Sequence, residues 1–138
     1  MSLQRFLDAQ EGIYQQALAE LRAGRKRTHW MWFVFPQLAG LGHSATAVHY
    51  AIADLAEAQD FLAHPLLGAR LEECARALLE VRGRTAHDIL GSPDDLKLRS
   101  SMTLFAEVAG PDSVFQRVLE RYYGGEADAR TLALLASS

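Results

Sequence analysis

Apolar side chains recur at the helical period over most of this chain. Between residues 3 and 23, Leu3, Phe6, Leu7, Ile13, Tyr14, Ala17, Leu18 and Leu21 share one stripe. That pattern predicts a helix opened by Ser2 as N-cap and stopped by Gly24. Gln10 falls on the stripe and is expected to tuck over its rim. Asp54 predicts a cap for a helix to about His64, with Leu55, Ala58, Phe61 and Leu62 on one face and a turn at Pro65. Residues 66–82 give the clearest amphipathic pattern: Leu67, Leu71, Cys74, Leu78 and Val81 inward, Arg70, Glu73, Arg76 and Glu80 outward. Cys74 on that stripe reads as a small core residue. Ser92-Pro93-Asp94-Asp95 predicts a helix start by a capping residue, Pro at the first position and acids in the first turn. That helix should reach about Ala109, before Gly110-Pro111. Two more are expected, from about Asp112 to Tyr123 and over Ala127–Leu135.

The helical period fails in one place. Residues 25–44 run from the basic triplet Arg25-Lys26-Arg27 through His29, Trp30, Met31, Trp32, Phe33, Val34 and Phe35 to Pro36, Gln37 and Gly40-Leu41-Gly42. Read as extended chain, alternation sets Trp30, Trp32 and Val34 on one side and Met31, Phe33 and Phe35 on the other. Short strands are therefore expected near residues 30–35 and 47–52. The fold class that follows is α+β, predominantly α-helical, in a single domain over residues 1–138.

Composition narrows the class. A chain of 138 residues with 49% hydrophobic and 22% charged side chains is a globular protein able to bury an ordinary core. A net charge of −3 argues against a broad footprint for nucleic acid, although Arg25-Lys26-Arg27 is a local basic cluster. With Cys74 as the one cysteine there is no internal disulfide framework. No signal-peptide core and no membrane-length apolar run is visible, so a soluble, cytoplasmic protein without membrane contact is expected. His29, His43, His49, His64 and His87 lack the spacing of a zinc site, and no nucleophile elbow occurs. No metal and no cofactor is expected.

Three segments carry candidate chemistry. The aromatic run offers flat walls suited to a nucleobase, with Gln37 to read a base edge or a sugar hydroxyl; the alternative is a buried strand with a Pro stop. Gly40-Leu41-Gly42-His43-Ser44 is either a tight turn or a backbone cradle for a phosphate. In Asp94–Phe105, Lys97 neighbours Ser100 and Ser101, and Arg99 neighbours Thr103, on one helix surface. Mid-helix serines and threonine are weak helix formers, so either close packing or a polar cleft wall selected them.

Taken together, these strings resemble the bacterial domain-of-unknown-function family 1810. The resemblance rests on His29-Trp30-Met31-Trp32, Phe35-Pro36-Gln37 and Gly40-Leu41-Gly42, on His64–Leu71, on Asp95–Phe105 and on Tyr122-Tyr123-Gly124-Gly125, and covers nearly the whole chain. At the fold level that family is similar to the YbiA-like superfamily, whose other branch, the NADAR domains, contains N-glycosidases acting on ADP-ribosyl-type substrates. The resemblance implies a YbiA-like α+β fold with a cleft for a nucleotide-like small molecule. The expected function is an N-glycosidase-like hydrolase, or a binding domain, for an ADP-ribose or nucleotide-sugar ligand; nucleic acid enters only as a modified substrate. Hydrolysis through a cation-like sugar centre needs a carboxylate and a proton donor. Asp95 (or Asp94) is the expected carboxylate and His29 its acid–base partner. Lys26, Lys97 and Arg99 are expected to hold phosphates, Trp30 or Trp32 to stack on the base, and Gln37 and Ser101 to orient the sugar. The alternative is a non-catalytic protein-interaction module docking through the aromatic run.

Overall fold

The computed structural model describes residues 2–137. Ten helices follow one another: α1 (Gln4–Gln10), α2 (Tyr14–Arg22), α3 (Met31–Val34), α4 (Ala45–His49), α5 (Leu55–Ala63), α6 (Leu67–Glu80), α7 (Ala86–Leu90), α8 (Asp94–Ala109), α9 (Val114–Tyr123) and α10 (Ala129–Ala136). α5 begins at the expected Asp54 cap, and α9 and α10 begin at side-chain caps of their own. The Asp54 carboxylate accepts from Glu57 N–H at 2.9 Å, and Asp128 accepts from Thr131 N–H at 3.0 Å. α9 starts after Ser113, whose hydroxyl accepts from Gln116 N–H at 3.2 Å, and ends at Gly124 in the left-handed conformation. α8 departs from the expected start: Pro93 occupies the N-cap position and no side chain caps the helix.

α8 is the axis of the fold. Leu98 and every residue from Ser100 to Ala106 are buried, the pattern of a helix enclosed on nearly all sides rather than along one stripe. α5, α7, α9 and α10 pack around it, and α6 packs against α2, α5 and α9. The small polar side chains of α8 let these neighbours approach. Ser100 and Thr103 donate back to Leu96 O at 3.2 Å and Arg99 O at 2.8 Å, so they need no water there. Ring contacts run Phe6–Phe61–Phe105–Phe115, at centroid separations of 5.0, 5.5 and 5.9 Å, and tie α1, α5, α8 and α9 into one apolar cluster. Cys74 is fully buried within it.

The α+β, YbiA-like expectation is corrected. Among the described residues the only β pairing is the isolated parallel bridge between Leu38 and Ile52, so there is no sheet. The aromatic run that reads as a strand forms the short helix α3, and residues 47–49 of the second expected strand belong to α4. A strand must find a ladder partner for its backbone groups. Here Val34 and Phe35 N–H instead bond to Trp30 and Met31 carbonyls at 3.1 Å each. The expected helix over 3–23 is two helices. Gly12 takes φ 75° between them, a conformation glycine supplies without steric cost. Gln10, expected at the rim, is buried: its Nε2 donates to Phe33 O at 2.8 Å and its Oε1 accepts from Arg70 Nη1 at 3.1 Å.

Candidate functional site

The aromatic segment is held by a carboxylate. Glu20, buried on α2, accepts from Arg27 N–H at 2.7 Å, Thr28 N–H at 3.0 Å, Thr28 Oγ1 at 2.7 Å and Trp30 Nε1 at 2.9 Å. Burial by itself raises a carboxyl pKa. Donation from Thr28, Arg27 and Trp30 outweighs it and holds Glu20 down at about 2. Trp30 is completely buried and turned to Glu20. It is a core residue and not a stacking platform.

Trp32 points elsewhere. It is half-buried, and Lys97 Nζ lies 5.1 Å from its ring centroid. Asp94 joins this pair to the start of the segment: its carboxylate lies 3.0 Å from Lys26 Nζ and 3.6 Å from Lys97 Nζ. Lys26 itself sits 5.4 Å from the Trp30 ring with its side chain almost wholly enclosed. The aromatic segment and the first turn of α8 are therefore adjacent, bridged by Lys26, Asp94 and Lys97.

Beside the bridge opens a cleft of about 500 Å³. Gln37 and the 41–44 turn form one wall, Pro93, Leu96, Lys97, Arg99 and Ser100 of the α8 start form a second, and Asp128 and Arg130 close it from α10. A narrow extension reaches past Gln37 and Gly42 to Trp32 and Tyr50. Lys97, Arg99 and Arg130 bring three cations to the lining. Asp128 is its one carboxylate, and Asp128 is committed to capping α10, where Oδ2 accepts from Thr131 N–H at 3.0 Å and from its hydroxyl at 2.6 Å. The cleft thus offers positive charge and polar groups with no unengaged acid.

The structure separates the expected site residues. Gln37, Lys97 and Arg99 line the cleft, and Trp32 stands at its extension. Lys26 stands behind it in the ion pair with Asp94. Arg99 is partly spent on the fold: Nε and Nη2 donate to the Glu126 and Ala127 carbonyls at 2.9 and 3.1 Å, latching the turn before α10. Ser101 is fully buried, its hydroxyl unpartnered, and lies outside the lining; Ser100, one residue earlier, is the serine that reaches the cleft. Asp95 pairs with His87 at 3.5 Å, while His29 is exposed, and neither lines the cleft. Among the described residues no three His, Cys, Asp or Glu side chains gather as metal ligands, and no helix is long and apolar enough to cross a membrane.

Sequence reasoning missed Arg130 and Asp128 as lining residues, and held His43 and Ser44 only as members of a turn or a backbone phosphate cradle. A short C-terminal helix gives no local sign that it closes a cleft made 90 residues earlier; the contact that places it, Arg130 Nη2 to Gly40 O at 3.3 Å, is long-range.

Comparison with known proteins supplies an identity and no activity. The profile of a family described as "Protein of unknown function (DUF1810)" matches residues 1–135. The crystal structure of the conserved hypothetical protein Rv1873 from Mycobacterium tuberculosis is similar throughout, at 56% identity and a TM-score of 0.96 over 99% of this chain and 97% of that one. No curated protein matches.

Proposed function

The chain belongs to the DUF1810 family, and from that premise we propose that it is a binding domain for a small nucleotide-type anion, held in the cleft between the 37–44 segment, the start of α8 and α10. The observation that carries this reading is the charge of the lining: Lys97, Arg99 and Arg130 line it beside one committed carboxylate. Asp94, 3.6 Å from Lys97, and Glu126, 2.9 Å from Arg99, lie outside the lining, and Arg130 has no ion pair among the described residues. Lys97 and Arg130 are the phosphate contacts, Ser44 and Ser100 supply hydroxyls, and Gln37, beside Trp32, meets the base end at the cleft wall. ADP-ribose and nucleotide sugars are the first ligands to test.

Binding fits the geometry better than hydrolysis. A glycosidic step needs a carboxylate free to face the sugar centre. Asp94 lies between two ammonium groups, and Asp95 faces His87 across 3.5 Å. An interaction module docking through the aromatic run is less well supported, because every residue from Trp30 to Phe35 except Trp32 is buried.

The test is thermal melting with ADP-ribose, NAD, ADP and a nucleotide sugar, with inorganic phosphate and ribose as controls. A ligand of the native state stabilises it by about 3 kcal/mol at a hundredfold excess over Kd. The melting temperature should therefore rise with at least one nucleotide, and the rise should vanish in Lys97→Ala and Arg130→Ala. A flat response across the panel refutes the reading. Release of free base during incubation would restore the hydrolase.

A further inference from the structure

A second concave surface lies along α6, with α2 on one side of that helix and α9 on the other. It is a groove of about 840 Å³ whose lining includes Leu66, Arg70, Glu73 and Arg76 from the α6 side. Arg22 of α2 and Arg117 of α9 form opposite banks. Residues 66, 69, 70, 73, 76 and 80 recur at the helical period, so the floor is one outward stripe of α6. From Leu66 to Glu80 that stripe runs about 21 Å at the rise of an α-helix.

Two features distinguish this groove from an ordinary solvated face. The first is charge. Four arginines and two glutamates line it, in a chain whose net charge is −3, and Arg76 is paired with Glu72 at 3.5 Å. Glu73 is already engaged, as acceptor for the Tyr14 hydroxyl and at 3.7 Å from Arg22 Nη2. Arg70 is held in place, its guanidinium stacked 4.6 Å from the Tyr14 ring centroid and bonded to Gln10 Oε1 at 3.1 Å. The Arg117 side chain has no partner among the described residues. A fork fixed in advance loses less freedom on meeting a carboxylate than a free one. The second feature is apolar surface along the same stripe: Leu66 is 43% exposed and Ala69 beside it is exposed.

The geometry points to this groove as the docking site for an acidic amphipathic helix of a partner protein. Leu66 and Ala69 receive the partner's apolar anchors, and arginines on the floor and both banks meet carboxylates flanking those anchors. An open trough about 21 Å long accepts a helix lying along it. It does not enclose a small ligand, because Gln15, Arg22, Leu66, Ala69, Arg76, Glu80 and Arg117 are all exposed. The site is separate from the nucleotide cleft and shares no residue with it.

The test pans a displayed library of random peptides, each long enough to span the stripe (about 14 residues), against the full chain, with counter-selection against Arg22→Glu/Arg117→Glu. Both side chains are exposed, and Arg117→Glu breaks no ion pair. An unchanged melting temperature of that single variant supplies a folded control if the double variant misfolds. Recovered peptides should carry Asp or Glu with Leu, Ile or Phe at three- and four-residue spacing. They should bind the charge-reversed protein at least about tenfold more weakly, a difference of 1.4 kcal/mol, and bind Lys97→Ala as tightly as the native chain. An absence of enriched peptides overturns the proposal. So does enrichment of non-acidic sequences, equal binding to the charge-reversed proteins, or equal binding of a scrambled peptide of the same composition. Loss of peptide binding in Lys97→Ala would move the site to the cleft.

Discussion

Glu20 organises the segment that carries both tryptophans, and removing its charge should have a measurable cost. In Glu20→Gln the acceptor becomes a neutral amide facing five donors from Gln16, Arg27, Thr28 and Trp30. The amide oxygen can still accept from the wholly buried Trp30 indole and from the two backbone N–H groups that met Oε1, whereas an NH2 now faces the Thr28 hydroxyl and the Gln16 amide that donated to Oε2. A hydrogen bond to a charged acceptor is worth about 1.5–3 kcal/mol against about 1 for a neutral one, so loss of the charge weakens every retained bond and the mismatch at Oε2 adds to it. The lowered pKa gives a second figure. A carboxyl moved from 4.5 to about 2 by folding contributes about 3 kcal/mol. Because the folded pKa is the lower one, that stability is present above pH 4.5 and is lost as pH falls toward 2.

Urea unfolding followed by tryptophan emission, repeated at steps from pH 7 to pH 2, separates the native protein from Glu20→Gln. At pH 7 the variant should be less stable by about 3 kcal/mol, near 10 °C in melting temperature for a chain of this size. The difference should shrink between pH 4.5 and 2, where the native protein loses what the variant never had. A variant within about 1 kcal/mol of native at pH 7 would refute the reasoning, as would parallel pH profiles in the acid range.

Two further substitutions read the packing and the latch. Gly68 lies inside α6, where propensity alone favours alanine by about 1 kcal/mol, but an added Cβ would stand 2.0 Å from Leu62 O. Gly68→Ala should therefore destabilise, by at least about 3 kcal/mol in chemical denaturation, and any gain in stability would contradict the close approach of α5 to α6. Arg99→Ala should lower the melting temperature in the absence of any ligand, because two carbonyls of the 126–127 turn lose their donors. Arg99→Lys should restore little, since one ammonium does not reproduce a fork, and an Arg99→Ala protein with unchanged melting and only weaker nucleotide binding would make Arg99 a ligand contact alone.

The parts of the fold that the sequence made legible are those with local signals. Asp54 caps the helix that follows it, and Gly110 and Gly124 end the helices before them. The errors arise where the deciding contact is distant. Ile13 continued the apolar period across Gly12 and so hid the break between α1 and α2, yet it is 40% exposed and holds the N-cap position of α2. The aromatic run has the composition of a strand, but composition is silent on whether a ladder partner exists. Here none does, and the run curls into α3 between Glu20 at its start and Gln10 at Phe33 O.

The candidate site divides along the same line. Helical spacing placed Lys97, Ser100 and Ser101 on one surface of α8, yet only the first two line the cleft. The difference is angle. Leu96, Lys97, Arg99 and Ser100 fall on the side of α8 that lines the cleft, whereas Ser101 stands about 100° round the axis from Ser100, on the flank where α8 is packed and Leu98 and Ser101 lose all exposure. Neighbours of Lys97 at i+3 and i+4 lie on opposite flanks of it, and spacing alone does not say which flank meets solvent. The two tryptophans show the same limit from the other side. Two residues apart in sequence and alike in chemistry, Trp30 is committed to the Glu20 carboxylate inside the core and Trp32 to the Lys97 ammonium at the cleft. Partner charge, supplied by α2 for one and α8 for the other, makes the first a structural residue and the second a candidate ligand contact.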